Sequence, residues 1–119
     1  MTNRPIEFRA WFVEEKKMVY EQGLVLDLIG EWGDGEDHHI MQFTGLLDKN
    51  GTKIFEGDIV EQQGRDLRPT RGLVTFGEFF ETQFNTHCWL FGHMPIDVSG
   101  DNIWFVVVGN IYENPELLK

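Results

Sequence analysis

The chain has 119 residues, 41% apolar and 13% aromatic with ten Phe and four Trp, enough bulky side chain to drive collapse and to exclude intrinsic disorder. One core is feasible at this length and two full domains are not, so residues 1–119 read as a single domain. Ten Lys and Arg against twenty Asp and Glu leave a net charge of -10, which disfavours direct contact with DNA, RNA or anionic lipid, because those partners are held mainly through cations.

Ile6, Phe8, Ala10 and Phe12 fall on one parity and Glu7 and Arg9 on the other, the period-2 signature of a half-buried strand, with Trp11 interrupting the polar face. A charged turn over residues 14–17 returns the chain through Met18, Val19 and Tyr20 as a hairpin partner, and Gly23 separates that strand from another over 24–29. Residues 30–37 hold three glycines and the four acids Glu31, Asp34, Glu36 and Asp37, a composition too polar for a core, so they predict an exposed loop. Residues 40–44 are strand-like. Asp48, Lys49, Asn50 and Gly51 then form a strong hairpin turn, since Asn and Gly tolerate the positive φ of tight turns, and 52–55 is the return strand.

Glu56, Gly57 and Asp58 make a second turn feeding Ile59 and Val60, and the polar stretch 62–70, with Pro69 near its end, predicts a flexible loop. Segments 72–76, 84–91 and 103–108 are rich in Val, Phe, Trp and Thr, which suit a pleated surface, and the unbroken apolar run 103–108 predicts a central strand. Asn114 as N-cap, Pro115 at the first helical position and the early acid Glu116 predict a helical turn at the end. Together these elements define a mainly β fold: a compact small β-barrel or sandwich-like domain of several short antiparallel strands with a short C-terminal helical turn.

The single Cys88 cannot form an internal disulfide, and its strand-like setting between His87 and Trp89 marks a packed thiol in a reducing cytosol. Residues 1–10 carry Arg4, Glu7 and Arg9 without a continuous apolar stretch, and no later run approaches the roughly 20 apolar residues of a membrane span. A cytoplasmic protein with no membrane partner is the expectation.

Three segments are more specific than any one turn. They are Phe8-Arg9-Ala10-Trp11 followed by Lys16-Lys17-Met18; Met41-Gln42-Phe43-Thr44-Gly45-Leu46 running through Asp48-Lys49-Asn50-Gly51 to Ile54-Phe55-Glu56-Gly57-Asp58-Ile59-Val60; and Gly109-Asn110-Ile111-Tyr112-Glu113-Asn114-Pro115-Glu116-Leu117-Leu118. Their order and spacing resemble the YopX family from about Ile6 to Leu118. The resemblance implies a small protein encoded by a bacteriophage or prophage, a mostly β fold and a bacterial cytoplasmic setting, and it carries over no catalytic residue. Phe12 stands where the family pattern commonly has an acid. The stretch 62–101 matches no motif and is where a variable, partner-choosing surface is expected.

The acids Glu31, Asp34, Glu36 and Asp37 with His38 and His39 contain metal-ligand types, but adjacent histidines in an extended segment face opposite ways, and no Asp/Asn alternation precedes a distal Glu. A solvated acidic loop is the preferred reading, with no metal and no cofactor. Asp48, Glu56 and Asp58 have the chemistry of a carboxylate set for hydrolysis, yet each adjoins Gly or Asn at a bend, and turn capping accounts for all of them. His87 and Cys88 are strand neighbours and do not make a nucleophilic dyad. Trp11, Trp32, Trp89, Trp104 and the Phe79-Phe80 pair are read first as core. Glu78 and Glu81 flank Phe79 and Phe80 in place of the basic groove of a base-stacking protein. Arg65, Arg68 and Arg71 form the one local basic cluster, assigned to a solvated loop with the chemistry to grip an acidic partner.

The sequence thus predicts a non-catalytic protein-interaction module that binds a phage or host protein, with Glu31, Asp34, Glu36, Asp37, Phe79 and Phe80 as the candidate surface and homo-oligomers through exposed β-edges as a further expectation. An acidic nucleic-acid mimic that occupies a host DNA-binding or defence protein is the alternative drawn from the charge. A hydrolase built on Asp48, Glu56 or Asp58 is the weakest alternative.

Overall fold

β-Strands assemble two antiparallel sheets in the computed structural model, which describes residues 7–25, 37–64, 67–81, 84–92, 94–96 and 103–118. The strands are β1 (Phe8–Phe12), β2 (Lys17–Val19), β3 (His38–Leu47), β4 (Lys53–Phe55), β5 (Asp58–Gly64), β6 (Leu67–Glu81), β7 (Phe84–Phe91), β8 (Met94–Pro95) and β9 (Ile103–Asn110), followed by a 3-10 turn over Pro115–Leu118. One sheet has the order β2-β1-β3-β4 and the other β8-β7-β6-β5-β9. The mainly β, sandwich-like expectation and the short C-terminal helical turn are both met.

The β1–β2 hairpin forms as its alternation predicts, with Ala10 opposite Val19 and Phe12 opposite Lys17. Its burial does not follow the alternation. Arg9 and Trp11, placed on the polar parity, are buried together with Ala10, because the second sheet and the C-terminal turn cover the face that solvent was expected to occupy. Of the strand predicted over 24–29, residues 24 and 25 belong instead to a helical turn over residues 22–25, and 26–29 lie outside the described residues. Glu21 caps it through its carboxylate, which accepts from the Gly23 N–H at 3.0 Å and the Leu24 N–H at 2.7 Å.

Between Phe43 and Leu47 the β3–β4 pairing slips out of register. Thr44 fills the gap: its hydroxyl donates to the Ile54 carbonyl at 2.7 Å and accepts from the Leu46 N–H at 3.0 Å, so the bulge does not leave the buried hydroxyl idle. The described residues of the stretch 62–70 are not a loop. Gln62–Gly64 and Leu67–Thr70 continue β5 and β6, with Gln62 opposite Thr70 and Gly64 opposite Leu67. A hairpin needs no apolar side chains where polar ones bond along it, and here Arg71 bonds Glu61 at 3.0 Å while Gln63 bonds Glu61 at 2.7 Å.

β6 pairs with β5 as far as Leu73 and with β7 from Val74 onward, so one 15-residue strand serves two hairpins. At the hand-over the Gly57 N–H donates to the Val74 carbonyl at 2.9 Å and the Gly92 N–H to the Leu73 carbonyl at 3.0 Å. β9, predicted to be central from its apolar run, is the outer strand of its sheet. It is nonetheless covered: the β3–β4 turn lies along its free edge, with the Lys49 N–H donating to the Phe105 carbonyl at 2.9 Å and the Val107 N–H donating to Asp48 Oδ2 at 2.9 Å. An edge so capped tolerates the hydrophobicity of an interior strand.

The core lies between the sheets, where Ile54, Val60, Val74, Phe91 and Phe105 pack with Leu46, Trp89, Ile96 and Val107 against them. Each large side chain fully withdrawn from water contributes on the order of 1.5–3 kcal/mol. No helix among the described residues is long and apolar enough to cross a membrane.

Candidate functional site

The turn Glu56-Gly57 is tight because Gly57 adopts φ +88°, and a Cβ there would stand 2.9 Å from Met41 Sδ. That turn aims Asp58 at Arg9 across the seam between the sheets. Arg9 Nη2 donates to Asp58 Oδ1 at 2.8 Å and to the Glu56 carbonyl at 3.2 Å, while the guanidinium lies 4.7 Å from the centre of the Phe55 ring. Asp58 Oδ2 accepts from the Phe55 N–H at 2.7 Å. Both side chains of the pair are only 3% exposed. Burial pushes the Asp58 carboxyl above its ordinary 3.8, against the lowering pull of the Arg9 guanidinium and the Phe55 N–H, and the nearby Asp48 charge adds to the rise.

Asp48 is engaged in the same way. Its Oδ1 accepts from the Asn50 and Thr52 N–H groups, each at 2.8 Å, and its Oδ2 takes the Val107 N–H. The third segment closes the seam through Asn110, whose Oδ1 accepts from the Tyr112 and Glu113 N–H groups at 3.0 and 2.8 Å. That turn presents the Tyr112 ring to Trp11 and His39, with ring centres 5.8 and 5.2 Å apart and nearly parallel planes. Trp11 and His39 are register partners on β1 and β3, so Tyr112 stacks over a cross-strand pair.

Above the Arg9–Asp58 pair opens a cleft of about 680 Å³, walled by Tyr20, Thr52, Phe55 and Asn110. Lys53 and Glu7 bridge its rim at 2.7 Å, with the lysine side chain 48% exposed. The Tyr20 ring meets Phe55 edge-on at 5.9 Å, and its hydroxyl lies 3.5 Å from Arg9 Nη1. Gln22 ties β1 to the start of the helical turn by accepting from the Phe8 N–H and donating to the Phe8 carbonyl.

A mainly β protein whose two sheets are joined by a buried ion pair and by carboxylate-capped turns is the class defined by this geometry. The chain belongs to the YopX family: the family described as YopX protein matches residues 7–119. Among solved structures it is similar to the crystal structure of protein EF1440 from Enterococcus faecalis, at 26% identity and a TM-score of 0.56, over 98% of this chain and 100% of that one. No curated protein matches the chain.

Of the candidate surface residues, Glu31, Asp34 and Glu36 lie outside the described residues. Asp37 is exposed and its carbonyl accepts from the Val13 N–H at 3.0 Å. Phe79 and Phe80 sit on β6 in register with Thr86 and Asn85, and His87 and Cys88 sit opposite Glu78 and Gly77. Asp48 and Asp58 come near one another, whereas Glu56 turns toward the Gln42 N–H at 3.3 Å. Among the described residues no group of three His, Cys, Asp or Glu is disposed to hold a metal ion. Arg68 and Arg71, assigned to a loop, stand on β6 instead, and Arg71 is paired with Glu61. Sequence reasoning missed Arg9, Tyr20, Thr52 and Lys53 as cleft residues. The available signal was Trp11, an aromatic on the same parity as Arg9, which marks that face as covered.

Proposed function

We propose that the protein works by binding rather than by catalysis, as an interaction module of phage or prophage origin that engages a phage or host protein in the bacterial cytoplasm. The observation that carries this reading is that Asp48 and Asp58, the buried carboxylates with the chemistry for hydrolysis, have their oxygens engaged by backbone N–H groups and the Arg9 guanidinium. A general base must reach its substrate, and these acids are buried and hold the sheets together instead. Support for a protein partner comes from Phe76, 54% exposed on β6 and packed edge-on against Trp89 at 5.0 Å, an aromatic of the kind that anchors interfaces.

Affinity capture from phage-infected bacterial lysate tests the reading. A stoichiometric protein partner retained by the wild type and lost with Phe76→Ala is expected, and retention of no protein overturns it. A second reading, a nucleic-acid mimic, is favoured by the net charge of -10. Mimicry predicts that the captured partner is a DNA-binding or defence protein released steeply by salt and displaced by DNA; a salt-insensitive complex contradicts it.

A further inference from the structure

We propose that the cleft above the Arg9–Asp58 pair binds an uncharged, planar molecule that presents carbonyl oxygens, such as an aromatic amide or a lactam ring. Three properties of the cleft lead to this class, and none depends on the protein partner proposed above.

The first property is charge. The ionised groups of the described lining are matched in pairs, Arg9 with Asp58 on the floor and Lys53 with Glu7 at the rim. A charged ligand would enter without a counter-ion beside two pairs already neutral, and desolvating it there is unfavourable. The second property is an excess of donors. Each Asp58 oxygen already accepts a hydrogen bond, Asn110 Oδ1 accepts two, and both Glu7 oxygens face Lys53. By contrast, among the described residues Arg9 Nη1 has only the 3.5 Å contact to the Tyr20 hydroxyl. The Thr52 hydroxyl and the Lys53 ammonium add donors at the wall and rim. Complementarity therefore calls for acceptors on the ligand.

The third property is shape. A volume of about 680 Å³ falls within the usual range of small-molecule sites, and the half-exposed Tyr20 ring offers an aromatic wall. A flat ring stacked on Tyr20 sets its carbonyl oxygen toward Arg9 Nη1, and the long Tyr20 hydroxyl contact is the one that gives way. Phe55 is already backed by the guanidinium and holds Arg9 in place from the other side.

Titrations of the intact protein with benzamide, benzoate and benzamidinium, followed by calorimetry and by backbone amide shifts, test the proposal. Benzamide is expected to bind, with shifts confined to the cleft lining on β1, residues 20–22, residues 52–55 and the facing ends of β5 and β9, and at least about tenfold more tightly than either charged analogue. Thr52→Val and Tyr20→Ala, both at exposed positions that leave the buried pair intact, each weaken benzamide about threefold to tenfold. Arg71→Gln, on β6, leaves its affinity unchanged. The proposal is overturned if benzamide does not bind at millimolar concentration, if benzoate or benzamidinium binds as tightly, or if the Thr52 and Tyr20 substitutions have no effect.

Discussion

Two ion pairs border the same cleft with nearly equal separations, 2.8 Å for Arg9–Asp58 and 2.7 Å for Lys53–Glu7. At the floor both side chains are 3% exposed, and at the rim they are 48% and 24% exposed. Coulomb attraction alone would rank the pairs as equals, so the difference lies in the solvent that each has given up. The floor pair is held by further bonds to the Glu56 carbonyl and the Phe55 N–H and cannot separate without leaving a buried charge. The rim pair stays wet, and each partner can exchange its bond with water. One pair therefore belongs to the fold, and the other to the solvated edge of the cleft.

The comparison is broken most forcefully at the floor. Asp58→Ala leaves the Arg9 guanidinium buried without its counter-charge, and urea unfolding is expected to show a loss of about 3–5 kcal/mol, or no folded protein at all. Asp48→Ala strands three N–H donors, two in its own turn and one on β9, at about 2–4 kcal/mol, with hydrogen exchange accelerating at Val107 beyond the global effect. Gly57→Ala and Gly51→Ala separate strain from crowding. Both positions have positive φ, but a Cβ at Gly51 meets open space while one at Gly57 meets Met41 Sδ at 2.9 Å. Each should lower stability by about 1–2 kcal/mol for the backbone, with Gly57→Ala the larger loss. Lys53→Gln, at the rim, should change stability by no more than about 1 kcal/mol.

The smallest effect is the pH dependence, and its sign differs between two acids. Asp58 titrates above its ordinary 3.8 in the folded chain, so between that value and the raised one the folded state holds a proton that the unfolded state has released. This site favours the fold as pH falls through that window, and its contribution is lost as pH rises. Glu61 is lowered from its ordinary 4.5 by the Gln63 and Arg71 hydrogen bonds, so its contribution is present above 4.5 and lost as pH falls through the lowered value. Carboxyl NMR titration should place the two midpoints on opposite sides of their ordinary values.

Much of this architecture was legible in the residues. Asn50-Gly51 and Glu56-Gly57 announce their turns, and alternation or β-branched runs announce β1, β3, β7 and β9. The errors share a physical origin, since local pattern carries no information about what a distant element will cover. Arg9 reads as solvent-facing until Asp58, 49 residues away, is brought onto it. The run 103–108 reads as central because its apolar residues are protected, but the protection comes from the Asp48 turn rather than from a neighbouring strand. Residues 62–70 read as a loop because hairpin pairing is a property of the backbone and their side chains are polar. Asp48 and Glu56 stand in turns as their neighbours suggest and Asp58 opens β5 just after one, yet nothing local shows that Asp48 and Asp58 reach across the seam.

The central claim is that Arg9 and Asp58 join the two sheets as a matched pair, each made necessary by the other. A double-mutant cycle with Arg9→Met and Asp58→Leu, measured by urea unfolding, tests it most directly. The account predicts that each single variant is severely destabilised and that the double variant, with no buried charge left, is more stable than either. Additive losses in the double variant would contradict it.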